Sequence, residues 1–495
     1  MGGTGQATGE HGLMAGAIGL GGDFVASIAT VAPSSSVAFT LALLLGFSGQ
    51  GSPLAVLVVG AAMTCAALGY ASLNRWRAHA GAPYVWVGAA INPVVGIGTG
   101  LLSALASTLA NIGNITLAGA YLLFVILLTH TASNVVVWLA AAAIMAALLW
   151  LSIRGIRPSI WVQIGAVVVE YSVVISFVVL ALIHEASGVG GARLPSLSDF
   201  SISTSLGGFK GLAEAAVVCG FLYAGWESPS VLGEESSKAR FNPGRAMILG
   251  TGFLTIWYTF LIVVFEGVSS QAALLSHGTD VLAYAGTLLA PGPLGRLLPI
   301  AVLIAVVGTT QMQMTEPSRI MYALARDRLI PKFWGVLHGA HRTPWIALTI
   351  LAIIPPVFLI PYLLSASANT AIGDVISAAG MLYLFMYFVI AVSSVWFYRE
   401  HITNSVSAFV FSGVLPLLGG VFMLVIFAYG LTTQIAAVSI VSAVGVVLIY
   451  VAALVIRLTA SDSPFFAEMA QRKLSGHSGA DFPATSEVPG GPGVE

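Results

Sequence analysis

The chain has 495 residues, of which 57% are hydrophobic and 8% charged, where a soluble domain carries about a quarter charged residues. With 19 basic and 20 acidic side chains it cannot clothe a water-facing surface, which excludes a soluble enzyme, a disordered chain and a nucleic-acid binder. The formal net charge of −1 decides nothing, because in a membrane-embedded chain the position of each charge matters more than the sum.

Residues 1–22 hold no Lys or Arg. They lack the basic region of a signal peptide and read as a cytoplasmic N-terminal segment. A helix needs about 20 mostly apolar residues to cross roughly 30 Å of hydrocarbon. About twelve runs of that kind follow, over 23–46, 53–73, 94–127, 134–153, 158–183, 210–232, 246–269, 296–318, 344–363, 375–397, 407–431 and 434–457. The stretch from Ala82 to Pro93 is apolar but too short to span, which suggests a re-entrant or interfacial segment. Residues 458–495, rich in Ser, Gly and Pro, read as a disordered cytoplasmic tail. Cys65 and Cys219 lie in apolar runs, so neither a disulfide framework nor a metal-ligand spacing is expected.

The basic residues give the orientation. With the N-terminus inside, sixteen of the nineteen Lys and Arg fall on inward loops and span ends, from Arg75 and Arg77 to Lys473. Only Arg193, Lys210 and Arg296 face outward. That bias is the positive-inside pattern of a multi-pass protein with both termini cytoplasmic, and one missed span would scramble it.

Two runs are interrupted near their middles. The first contains Ala32-Pro33-Ser34-Ser35-Ser36. Pro33 removes a donor and clashes with the preceding turn, and three hydroxyls can serve the freed backbone groups. The sixth contains Ala224-Gly225-Trp226-Glu227-Ser228-Pro229-Ser230. Backbone left unpaired at mid-membrane is tolerated only against protein or a water-filled cavity. Breaks at corresponding positions of two successive five-span groups point to a transporter's substrate site.

The motifs around these breaks resemble a known family. Gly220-Phe221-Leu222-Tyr223-Ala224-Gly225-Trp226-Glu227 with Val231-Leu232-Gly233-Glu234-Glu235 and Asn242-Pro243 is similar to the sixth span of amino acid–polyamine–organocation (APC) superfamily permeases. Ser318-Arg319-Ile320-Met321-Tyr322-Ala323-Leu324-Ala325-Arg326-Asp327, running on to Arg342-Thr343-Pro344-Trp345, resembles the end of their eighth span and the loop after it. Gly81-Ala82-Pro83-Tyr84 resembles the segment before their third span. The resemblance covers about residues 20–457. It implies an all-α polytopic membrane protein of about twelve transmembrane helices, with two inverted five-helix repeats of the LeuT-like kind plus two peripheral helices. The repeats are expected over 23–183 and 210–397, and the peripheral helices over 407–457. Two departures stand out. Pro33-Ser34-Ser35-Ser36 replaces the usual Gly-Ser-Gly of the first span, and Tyr171 beside Glu170 falls where some members carry a lysine.

The implied function is secondary active transport of amino acids in the plasma membrane, by proton symport with alternating access. The alternative is an exchanger of amino acids and amines (polyamines or organocations). A channel or a non-transporting sensor is the remote reading from another class. A helix N-terminus favours a carboxylate, so Ser34, Ser35 and Ser36 are candidates for the substrate carboxylate. Carbonyls of Ala224 and Gly225 are candidates for its ammonium group. Phe221, Tyr223 and Trp226 are candidates to cover the ligand, with Phe221 at the family's gating position, and Asn114 is a candidate for its side chain. An intramembrane carboxyl is a functional-site hypothesis by default. Glu227, inside the break, is the preferred proton-coupling residue and Glu170 the second. Thr309 and Thr310 are sodium candidates that rank behind simple hydroxyl bonds to their own helix. No cofactor beyond the coupling proton is expected, and the partners are a small amino acid or amine and the lipid bilayer.

Overall fold

Pro33 divides the first apolar run in two in the computed structural model, which describes residues 12–127, 133–278, 281–363 and 368–474. Helix α1 (Leu20–Val31) ends and α2 (Pro33–Ser48) begins on either side of Ala32. The first repeat continues with α3 (Ser52–Trp76), a short α4 (Ala82–Ala90), then α5 (Pro93–Leu127), α6 (Asn134–Ile153) and α7 (Ile156–Ser187). The sixth span enters as α8 (Phe209–Leu222) and dissolves into turns. The second repeat then runs through α9 (Asn242–Gly267), two short helices α10 (Gln271–His277) and α11 (Val281–Leu289), α12 (Leu297–Arg326), α13 (Trp345–Phe358), α14 (Ile360–Leu363) and α15 (Ala368–Tyr398). After a single turn, α16 (Val406–Ala408), and a wider turn over Phe409–Val414, the peripheral helices are α17 (Leu415–Thr433) and α18 (Ala436–Thr459). A last helix, α19, covers Pro464–Leu474.

Ten of these helical segments are long and apolar enough to cross a membrane. The other two expected spans are the broken sixth and the 14-residue α13. Outward faces are dressed in aliphatic side chains, as on α18, where Val444, Leu448, Val451 and Leu454 are all exposed. This is the surface a bilayer requires. The protein is therefore an integral, multi-pass membrane protein.

The two halves repeat one plan. Each has a broken or dissolving first span, a short helical insertion after its second (α4 in one half, α10 and α11 in the other), and a long third. Helix α3 packs along α9, and α5 along α12. Helix α1 lies against α7, α9 and α12, and α8 against α2, α3 and α15. The broken spans are thus enclosed by the others. Helix α4 is the expected short segment, folded back on α5. A Cβ on Gly96 would come within 2.4 Å of the Tyr84 carbonyl, so glycine there permits the close crossing.

One expectation is corrected. The tail over 458–495 is not wholly disordered, because 464–474 form α19. Phe465 and Phe466 are buried, and their burial pins the helix to the body. Residues 475–495, like 1–11 of the N-terminal segment, lie outside the described residues.

Candidate functional site

The first break is a single residue. Ala32 sits at φ 45°, ψ 78°, a left-handed conformation that costs a non-glycine residue about 1–2 kcal/mol. The cost is offset by hydrogen bonds. The Val31 carbonyl accepts from Ser36 Oγ (2.6 Å) and from the Tyr258 hydroxyl (3.1 Å). The Ala32 carbonyl accepts from Ser35 Oγ (3.1 Å). Ser35 and Ser36 therefore serve the local backbone. Ser34 does something else. Its backbone N–H (3.0 Å) and its hydroxyl (2.7 Å) both donate to Oε1 of Glu170 from α7. A carboxylate does rest at this helix N-terminus, and it belongs to the protein.

The second break spreads over a longer stretch. Gly225 has φ 109°, and a Cβ there would lie 2.6 Å from Thr30 of α1. Glycine is required both for the backbone angle and for contact between the two breaks. Ser27 of α1 donates to the Trp226 carbonyl at 2.7 Å, tying the breaks together. The Gly225 carbonyl, expected to be free for an ammonium, already accepts from Ser228 Oγ at 2.9 Å.

Glu227 is 1% exposed. Its Oε2 accepts from the Tyr387 hydroxyl of α15 at 2.6 Å, while Oε1 has no protein partner. Trp226 stacks on Tyr387 with ring centroids 5.2 Å apart, and Tyr70 of α3 meets Trp226 edge-on at 4.8 Å. Phe221 meets Phe39 edge-on at 6.2 Å. Tyr223 turns away, its hydroxyl donating to the Val56 carbonyl at 3.0 Å. Asn114 donates to Gln313 Oε1 at 2.8 Å in a bond between α5 and α12. Thr309 bonds the Ala29 carbonyl of α1 (3.1 Å) as well as its own helix, whereas Thr310 bonds only Val306, one turn back (2.8 Å).

One carboxyl was missed. Glu316 of α12 is 1% exposed. It accepts from Ser103 of α5 (3.1 Å) and from Ser228 of the second break (3.3 Å). Its partner Ser228 is the residue next to Glu227 in the chain. The signal was the polar run Thr309-Thr310-Gln311-Met312-Gln313-Met314-Thr315-Glu316, unusually hydrophilic for a span.

At the arginine-rich end the junction is closed off. Arg319 and Glu235, each 1% exposed, pair at 3.1 Å. Arg326 grips Glu234 through two hydrogen bonds of 2.8 Å, and the Ala80 N–H donates to the same carboxylate at 2.9 Å. Burial opposes the charge on Glu234, but the Arg326 bonds and nearby charge outweigh it and hold its pKa at about 2. Burial, reinforced by Arg326 and Arg77 against the pull of Glu234, brings His79 down to about 3. Among the described residues no cluster has the makings of a metal site.

Two interrupted spans, one opening each half of the chain, meet at a buried polar junction, which is the architecture of the LeuT-like fold. The Amino acid permease family profile matches residues 18–458; the chain belongs to that family, within the APC superfamily, whose members are transporters and not enzymes. Among curated relatives it is 24% identical to the serine/threonine exchanger SteT of Bacillus subtilis over 211 residues, 41% of this chain and 46% of that one. It is likewise 24% identical to the branched-chain amino acid permease BcaP of Bacillus subtilis over 212 residues, 42% of each chain. The matched region spans less than half the length of these relatives. A solved manganese transporter variant from Eremococcus coleocola superposes with a TM-score of 0.58 over 91% of this chain and 94% of that one at 13% identity, a likeness of fold alone.

Proposed function

We propose that the chain is a secondary active transporter of amino acids that works by proton symport and alternating access. The observation that carries this reading is the junction of the two breaks, with the half-partnered Glu227 buried inside it. A carboxyl that takes a proton from one side and releases it to the other links solute movement to the proton gradient. Glu227 suits this task better than Glu170, because Glu170 is engaged by two donors of Ser34. Sodium is less favoured: Thr309 reaches a first-span carbonyl, but Thr310 serves its own helix. The charge bias of the loops supports placing the arginine-rich end and both termini in the cytoplasm, with the protein in the plasma membrane.

The purified protein in liposomes should accumulate its solute when the outside is made acidic. Glu227→Gln should abolish that accumulation while leaving solute-for-solute exchange measurable. Undiminished accumulation by the variant would reject the assignment. Similarity to a serine/threonine exchanger favours a second reading, obligate exchange. That reading requires preloaded solute for any uptake and no response to an imposed pH gradient.

A further inference from the structure

Several arginines at the arginine-rich end are neutralised by the protein itself. Arg77 pairs with Glu468, Arg319 with Glu235, Arg326 with Glu234 and Arg399 with Glu400. Arg240 donates to the carbonyls of Arg75 and Trp76. One corner differs. Residues 150–163 and 328–345 contain no Asp or Glu, and among the described residues no ion pair involves Arg154, Arg157 or Arg342.

The backbone brings these three together. Arg154 and Arg157 flank Gly155, where α6 turns into α7. Gly155 adjoins the loop before α13, since a Cβ there would stand 3.9 Å from the His341 carbonyl. The Thr343 hydroxyl donates to the Ile153 carbonyl at 2.8 Å, which pins that loop to the end of α6. Arg342, between His341 and Thr343, has φ 53°, a left-handed conformation that is unfavourable for a residue with a side chain. Bonds of 2.8 Å from the Arg342 N–H to the His338 carbonyl, and from the His338 N–H to the Thr343 carbonyl, hold it there. Strain kept in place by its surroundings is characteristic of ligand sites.

The same corner carries the marks of the membrane boundary. Trp150, Trp161 and Trp345 are all exposed, and exposed tryptophan gathers at headgroup level. The Arg154 guanidinium lies over the Trp150 ring at 4.0 Å. Arg157 commits Nε to the Ala17 carbonyl at 3.3 Å, leaving its terminal nitrogens for another acceptor. No side chain caps α7, so the positive end of its dipole adds to the three charges. Fixed positive charge at headgroup depth, with no counter-charge from the protein, attracts anionic lipid.

We propose that this corner binds the headgroup phosphate of an anionic phospholipid in the leaflet on that side. Arg154, Arg157 and Arg342 surround the phosphate, and the acyl chains lie along α7, where Val162, Val168 and Val169 are exposed. The site is separate from the junction of the two breaks, yet α7 reaches both, because Glu170 on the same helix holds Ser34.

Photolabelling of the full chain in detergent, with a phosphatidylglycerol that carries a carbene precursor near its glycerol, tests this. Label should concentrate in peptides covering 150–162 and 338–345. Excess unlabelled phosphatidylglycerol should reduce it at least fivefold, and excess phosphatidylcholine should not. Combining Arg154→Gln, Arg157→Gln and Arg342→Gln should lower the label there at least fivefold, whereas Arg240→Gln with Arg399→Gln should leave it unchanged. The wild-type map decides the matter even if the triple variant does not fold. Label spread evenly over the lipid-facing helices, equal competition by phosphatidylcholine, or full labelling of a folded triple variant overturns the proposal. Displacement by millimolar inorganic phosphate would show that the corner takes a soluble anion, and would overturn the assignment to lipid.

Discussion

Gly225 is the residue on which both breaks depend. Its φ of 109° and the 2.6 Å approach of a hypothetical Cβ to Thr30 leave no room for a side chain. Gly225→Ala should therefore be made and inserted yet lose at least tenfold in transport rate, read by counterflow at matched protein amounts; full activity would mean that the breaks do not need their present contact. At this scale the sequence was legible where chemistry forces geometry. Pro33 announced the first break, and Gly225 with Pro229 the second. It was not legible where a side chain has several possible partners. Ser34 was expected to hold a solute carboxylate and holds Glu170. Tyr223 was counted among the covering aromatics and points to α3. Direction within a span depends on how neighbouring helices are rotated, and no run of apolar residues records that.

Among the elements, spans were the most readable part, because a bilayer imposes length and apolarity on each one. The short α4 was visible for the same reason, as an apolar stretch that falls short of crossing. The cluster that ties α12 to the end of the second break makes a pH prediction. Folding lowers the pKa of His79 from 6.5 to about 3. The stability this contributes is whole above 6.5 and is lost as pH falls from there toward 3, because the unfolded chain takes up the proton first. Glu234, held at about 2 against an ordinary 4.5, adds a second loss only below 4.5. The melting temperature of detergent-solubilised protein should fall between pH 7 and pH 5. His79→Gln, which has no proton to gain, should flatten that fall; an unchanged slope in the variant would show that other groups cause it.

For the molecule as a whole, the repeat plan could be inferred only from the positions of the breaks, since the halves share no visible residue pattern. The pairing of α4 with α10 and α11, and of α5 with α12, makes it evident in three dimensions. The tail was misread because composition describes averages. Residues 458–495 are rich in Ser, Gly and Pro, yet Pro464-Phe465-Phe466 supplies enough apolar surface to dock one short helix. That helix touches several elements at the arginine-rich end. Phe465 packs edge-on against Tyr84 of α4 at 5.3 Å, Arg77 just past α3 pairs with Glu468, and Arg472 lies over Trp76 at 4.4 Å. Ser463, immediately before it, donates to the Asp327 carbonyl just past α12, while Tyr84 donates to the Asp327 carboxylate at 2.7 Å.

Helix α19 is thus a bolt across a seam. Any motion that carries the Arg77 end of α3 away from the Asp327 end of α12 must first draw it or drag it along. Truncation after Thr459 should speed exchange and expose the loops around Arg77 and Arg326 to added protease, whereas equal rates and equal cleavage would mean that the bolt is never thrown.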